Sequence, residues 1–161
     1  MKRVMVVQKL SYEPRRNIYE DNLDIRWINF LLRCDLFPII VPNNIRYIKE
    51  FYKNEKIDGI LLTGGDNPQE PDKKLSTRAK VEKFLIKKAI ENNTPILGVC
   101  RGMQAIQIYF KSNLKRVVNH VNTEHHLKIK NKDLFQEVIL NYKKVNSYHD
   151  FGVKKDNKYL I

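Results

Sequence analysis

The chain has 161 residues, 30 Lys plus Arg against 18 Asp plus Glu, a formal net charge of +12 and 42% hydrophobic residues. A folded chain of this length buries roughly two-thirds of the surface its unfolded form exposes, so one domain over residues 1–161 is expected and a disordered chain is not. No apolar run approaches the roughly 18 to 20 residues that span a bilayer, and Met1-Lys2-Arg3 shows no signal-peptide pattern. A cytoplasmic protein without a membrane partner is the expectation.

In chain order, short apolar runs alternate with longer amphipathic ones, the βαβ pattern of a parallel sheet. Val4-Met5-Val6-Val7 has no polar alternation and reads as a strand buried on both faces. A polar loop over Gln8 to Asn17 follows. From about Glu20 to Arg33, Leu23, Trp27, Phe30 and Leu31 recur at helical spacing and predict a helix facing the core. Phe37 to Pro42 reads as a second strand, and Ile45, Ile48, Phe51 and Tyr52 as a short helix. A third strand, Ile57 to Leu62, runs into the turn Thr63-Gly64-Gly65-Asp66. Leu75 to Asn92 predicts a Lys-rich helix with Val81, Leu85 and Ala89 on one face and its charges in solvent, closed by Asn92-Asn93 and Pro95. A fourth strand, Thr94 to Val99, breaks at Cys100-Arg101-Gly102, and helical spacing resumes from Met103 to Phe110. Later strand candidates lie at His126 to Ile129 and Val138 to Leu140.

The two cysteines, Cys34 and Cys100, read as reduced thiols, with Cys34 inside an element like most buried cysteines. The positive charge favours anionic partners. Basic residues are spread along the chain with no helix-turn-helix, ribonucleoprotein or zinc-finger pattern, so an anionic small molecule is expected and nucleic acid is not.

Gly98-Val99-Cys100-Arg101-Gly102 places a nucleophile between two glycines at a strand-to-helix junction, the geometry of a nucleophile elbow with cysteine for serine. The thiol is thereby lifted to the carboxyl ends of the strands, and helix N-terminal amides favour its thiolate. An acyl group attacked there needs donors for the developing oxyanion, and the amides of Gly65 and Arg101 are the candidates.

The Thr63-Gly64-Gly65 turn, the Gly98-Val99-Cys100-Arg101-Gly102-Met103-Gln104 elbow and Val145-Asn146-Ser147-Tyr148-His149 together resemble the class I glutamine amidotransferases, specifically their γ-glutamyl hydrolase, peptidase C26-like branch. The resemblance runs from Val4 to Val153. It implies an α/β three-layer sandwich of flavodoxin-like form, a mostly parallel central sheet flanked by helices. It also implies that Cys100 forms a γ-glutamyl thioester that water hydrolyses, with no cofactor. Gln104, and Ser147 with Tyr148, would hold the α-amino and α-carboxylate end of the glutamyl group, and His149 belongs to the same loop.

The chain departs from the family where the base is expected. Relatives carry a histidine in a His-Pro-Glu or similar stretch near the C-terminus, and none of His120, His125, His126 and His149 lies in such a stretch. The ending Tyr159-Leu160-Ile161 reads as the start of a strand, so the expectation is a piece lacking its last strands, with a naturally incomplete enzyme as the alternative. Lys111-Ser112-Asn113 stands where relatives have glycines.

His120, Glu124, His125 and His126 do not converge as zinc ligands do, because adjacent His125 and His126 on a strand face opposite ways, so no metal is expected. Arg15 and Arg16, in the loop after the first strand, suit the phosphates of an anionic substrate, and a solvated loop fits them equally. Three readings follow: a free-standing γ-glutamyl hydrolase, a glutaminase subunit that supplies ammonia to a synthase, or a binding domain that has lost its base.

Overall fold

A computed structural model describes residues 1–66, 76–126 and 144–153. They fall into two compact units, one within residues 1–112 and one within 113–157. The first unit holds, in order, β1 (Lys2–Val7), β2 (Lys9–Glu13), β3 (Ile18–Asn22), α1 (Arg26–Arg33), β4 (Leu36–Val41), α2 (Ile45–Asn54), β5 (Gly59–Leu62), α3 (Thr77–Glu91), β6 (Ile96–Gly98) and α4 (Arg101–Tyr109). The second holds β7 (Leu114–Arg116), β8 (Val121–His126), β9 (Lys144–Tyr148) and β10 (Phe151–Val153).

Four parallel strands form the central sheet in the order β4-β1-β5-β6. Alternation along β1 divides the core. Met5 and Val7 pack with Ile48, Val81 and Leu85 against α2 and α3, while Val4 and Val6 pack with Leu31 of α1 on the opposite face. Helices therefore cover both faces of the parallel sheet, the expected three-layer arrangement. Each fully buried aliphatic side chain contributes roughly 1.5–3 kcal/mol. The helices begin where the sequence supplies caps: Asn44 Oδ1 accepts from the Arg46 and Tyr47 amides at 3.0 Å, and Ser76 Oγ from the Ala79 amide at 3.1 Å.

The register pairs Val7 with Val41 and with Leu62, and Leu62 with Gly98, so the four strands end at one level. The chain leaves β1 for α1 on one face and β5 for α3 on the other. This is a topological switch point, where open α/β sheets bind ligands.

Several expectations are corrected. The predicted polar loop over Gln8 to Asn17 is the first half of an antiparallel hairpin, in which Tyr12 lies opposite Tyr19 with ring centroids 4.7 Å apart. This cross-strand pair holds a ribbon whose other residues are polar apart from Leu10 and Ile18. Because β3 takes residues up to Asn22, α1 starts only at Arg26, two residues after Asp24 accepts its amide at 2.9 Å. Cys34 is exposed at the C-cap of α1, where the helix has already ended.

In the second unit, β7 pairs with β10 and β8 with β9, both antiparallel, with an irregularity between Val121 and Thr123 where Asn122 has φ 52°. β8 ends at His126, so the strand expected from that residue starts earlier. Residues 127–129 and 138–140, Leu75 and the terminal Tyr159-Leu160-Ile161 lie outside the described residues. Among the described residues no helix is long and apolar enough to cross a membrane.

Candidate active site

Cys100 caps α4 with φ 52° and ψ −109°, a conformation that costs a residue with a side chain on the order of 1–3 kcal/mol. The neighbouring backbone holds it there. The Val99 amide donates to Leu62 O at 2.9 Å, the Gly102 amide to Val99 O at 2.9 Å and the Gln104 amide to Cys100 O at 3.1 Å. A β-carbon on Gly102 would stand 2.0 Å from Leu62 O, and one on Gly98 would stand 2.6 Å from the Gly102 carbonyl. Both glycines are therefore required by contact as α4 presses on the end of β5. The thiol between them is exposed.

The turn after β5 stands beside it. A β-carbon on Gly64 would lie 3.4 Å from Cys100 Cβ and 3.9 Å from its Sγ. Gly65 has φ 135°, a region that disfavours any side chain, and a β-carbon there would meet Lys9 Cγ at 2.6 Å. Of the residues expected at the site, Cys100, Gly65, Arg101 and Gln104 are thus brought together at the ends of β5 and β6, with Gln104 buried in the first turn of α4. A cavity of about 260 Å³ opens against this turn, lined by Lys9, Asn22, Leu23, Asp24, Trp27, Thr63, Gly64, Gly65 and Val99. The hairpin and the approach to α1 build its outer wall. This wall is not visible in the residue pattern, because residues 8–17 read as a loop.

Beneath the two turns lies an ion network that the sequence reading missed. The Arg78 side chain is fully buried, those of Glu82 and Arg101 are 2% exposed and that of Asp66 is 15% exposed. Arg78 donates to Glu82 Oε1 at 2.9 Å, to Asp66 Oδ1 at 2.7 Å, to Thr63 O at 2.6 Å and to Gly64 O at 3.1 Å. Arg101 donates to Asp66 Oδ2 at 3.1 Å and to Glu82 Oε2. Two cations and two carboxylates balance, and the arginine forks satisfy the oxygens of both acids, as buried charges require. Burial, followed by the Arg101 charge, pushes the Arg78 guanidinium below its ordinary value, and Glu82 and Asp66 oppose that shift. The expectation that the charges of this helix are solvated fails at Arg78 and Glu82. Its physical reason is spacing: positions 78, 81, 82, 85 and 89 share one helix face.

Ser147, Tyr148 and His149 belong to the second unit, and residues read as a loop are strand β9 as far as Tyr148. Ser147 is buried and its hydroxyl donates to His120 O at 2.8 Å, which also accepts from the His149 amide at 2.9 Å. His149 Nδ1 lies 2.9 Å from Phe151 O, so that nitrogen carries the proton. The Tyr148 side chain is exposed. Arg15 and Arg16 occupy the exposed hairpin turn, with Arg16 3.6 Å from Glu20. Five residues of β2 separate that turn from Gln8, whereas Lys9, which the sequence reading passed over, touches the glycine turn.

The sequence profile of peptidase C26 matches residues 4–161. The chain belongs to the peptidase C26 family. This C26 chain is 29% identical over 156 residues to a γ-glutamyl-CDP-amidate hydrolase of Campylobacter jejuni, covering 94% of the chain and 70% of that protein. It is 33% identical over 122 residues to a glutamine amidotransferase-like protein of Lactococcus lactis, covering 61% of the chain and 64% of that protein. A glutamine amidotransferase of Thermotoga maritima superposes with a TM-score of 0.62 at 16% identity, over 95% of this chain and 62% of that one. The fold is that of the class I glutamine amidotransferases, and the chain spans about two thirds of the length of these relatives.

Proposed function

We propose that this C26 chain carries the nucleophile of a hydrolase that cleaves γ-glutamyl amide bonds through a γ-glutamyl thioester. The observation that carries the reading is Cys100 at φ 52° between two glycines that tolerate no β-carbon, beside a second glycine turn at a switch point of the sheet. In this reading the Cys100 thiolate attacks the γ-carbonyl carbon and the carbonyl electron pair moves to oxygen, facing the Gly65 and Arg101 amides. Collapse breaks the C–N bond and the amine leaves with a proton. Water then cleaves the thioester, giving glutamate and restoring the thiol. Residues 1–112 contain no histidine, so a histidine that carries these protons lies beyond them.

Lys9 and Trp27, with Asn22, line the cavity against the glycine turn and supply a cation, an aromatic ring and a polar group for an anionic leaving group. The name of the Campylobacter relative makes a γ-glutamyl nucleotide amidate the first substrate to try. The test is glutamate release from that amidate, from γ-glutamyl-aminobutyrate and from glutamine. Release without a partner protein, lost by at least about 1,000-fold in Cys100→Ala, is expected. Release unchanged in Cys100→Ala overturns the mechanism, and release from glutamine alone replaces it with a glutaminase.

A further inference from the structure

The proposed oxyanion site is built from two separate turns, whose backbones meet just before them where the Val99 amide donates to Leu62 O at 2.9 Å. Thr63-Gly64-Gly65 follows β5 and Cys100-Arg101 follows β6. The buried network ties them through side chains. Arg78, from the first turn of α3, holds the carbonyls of Thr63 and Gly64 with one fork, at 2.6 and 3.1 Å. Glu82, one helical turn on, receives Arg78 on one oxygen and Arg101 on the other. Asp66 repeats the bridge from the turn itself, taking Arg78 at 2.7 Å on Oδ1 and Arg101 at 3.1 Å on Oδ2. Thr63 in turn donates its hydroxyl to Val7 O at 2.6 Å, which anchors the assembly to the central strand.

Each acid therefore accepts from one arginine that grips the glycine turn and from one that belongs to the elbow. Arg101 is the residue next to the nucleophile, so a movement of its side chain is transmitted to the amide proposed to meet the oxyanion. A bare structural role does not require this arrangement, since apolar residues of like volume stabilise a helix–sheet contact equally well.

From this geometry we infer that Arg78, Glu82 and Asp66 are positioning residues that hold the Gly65 and Arg101 amides at the spacing of a single oxyanion. The inference rests on the hydrolase reading above, and it assigns the residues that set the geometry of that site. None of the three touches the reacting atoms. They act through the backbone they hold, where a displacement of about 1 Å is enough to cost about 100-fold in rate.

The test separates chemistry that forms an oxyanion from chemistry that does not. In a Cys34→Ser background, Cys100 is acylated by p-nitrophenyl acetate: the S–C bond forms, the ester C–O bond breaks and p-nitrophenolate leaves without needing a proton. In parallel the same thiolate is alkylated by iodoacetamide, which displaces iodide through no oxyanion. The ratio of the two rates, relative to that of free N-acetylcysteine, reports the oxyanion site, and circular dichroism reports the fold.

Arg78→Lys keeps the charge and loses the fork, and Glu82→Gln keeps the shape and loses the charge. Each is expected to lower the ratio by about 10- to 100-fold while alkylation changes by less than about three-fold. Should both variants misfold, Asp66→Asn, at the more exposed end of the network, is read in the same way. A high wild-type ratio that the variants leave unchanged overturns this inference and leaves the hydrolase reading standing. A wild-type ratio no higher than that of N-acetylcysteine overturns the oxyanion assignment and the inference with it.

Discussion

The two ends of α3 carry the same pattern, a basic residue followed four positions later by glutamate, and the fold treats them in opposite ways. Arg78 and Glu82 are 0% and 2% exposed and bond at 2.9 Å, whereas Lys87 and Glu91 are 63% and 40% exposed at 3.5 Å. Local pairing does not distinguish them, because both are i, i+4 pairs with the base N-terminal to the acid, the weaker of the two orders. Their neighbours do. The first pair shares its face with Val81, Leu85 and Ala89 and meets Arg101, Asp66 and two carbonyls, while the second faces water. A charge pair on a helix is therefore read by the face it shares, and this face ends beneath the candidate nucleophile.

The sharpest way to break the comparison is to remove one charge from each end. Glu82→Ala leaves two buried guanidiniums with Asp66 as the one acid they share, and is expected to cost about 3–5 kcal/mol in chemical denaturation. The next largest effect tests why this end is buried. Gly102→Ala sets a methyl 2.0 Å from Leu62 O and forces α4 away from β5, with an expected cost of about 1–3 kcal/mol or more. Denaturation curves of the two variants rank them directly, and a Gly102→Ala protein as stable as the parent removes the close approach as the cause. At the exposed end, Lys87→Ala is expected to leave the denaturation midpoint unmoved at 1 M salt, since a solvated pair is screened there.

Much of the site was legible because glycine leaves a mark that few other constraints leave. Gly98, Gly102 and Gly65 each sit where a β-carbon meets a close neighbour or where φ is positive, so their spacing around Cys100 carried the turn geometry into the sequence. The parallel strands were legible for a similar reason, since Val4 to Val7 and Ile60 to Leu62 are buried on both faces and show no polar alternation.

The hairpin of β2 and β3 was not legible. Apart from Leu10, Ile18 and the Tyr12 and Tyr19 pair its residues are polar, and they show no apolar alternation that separates the ribbon from a loop. The buried charges were half legible. The face defined by Val81, Leu85 and Ala89 already contained positions 78 and 82 by helical arithmetic, but the sequence holds no record of the Asp66 and Arg101 side chains that make their burial tolerable. Lys111 shows the same limit from the other side: it has φ 62° just after α4, in the glycine-favouring region, and a helix-ending bond from the Ser112 amide to Gln107 O at 2.9 Å holds it there.

The smallest expected effect lies at the solvated end of α3 and is a titration. The hydrogen bond from Lys88, at 2.8 Å, holds the Glu91 carboxyl below its ordinary value of 4.5, and Lys87 adds to the shift. A carboxyl whose value is lower in the folded state favours folding above its unfolded value and loses that contribution as the pH falls through the folded one. Following the Glu91 side chain by NMR between pH 7 and pH 2 should therefore give a midpoint below that of an unpaired glutamate, and Lys88→Ala should raise it. If the midpoint stays put in Lys88→Ala, the pair is not formed in solution. The contrast between the two ends of the helix would then be one between a network and no pairing at all, which strengthens the case that burial beneath the elbow, and not helix spacing, is what makes the Arg78 and Glu82 pair persist.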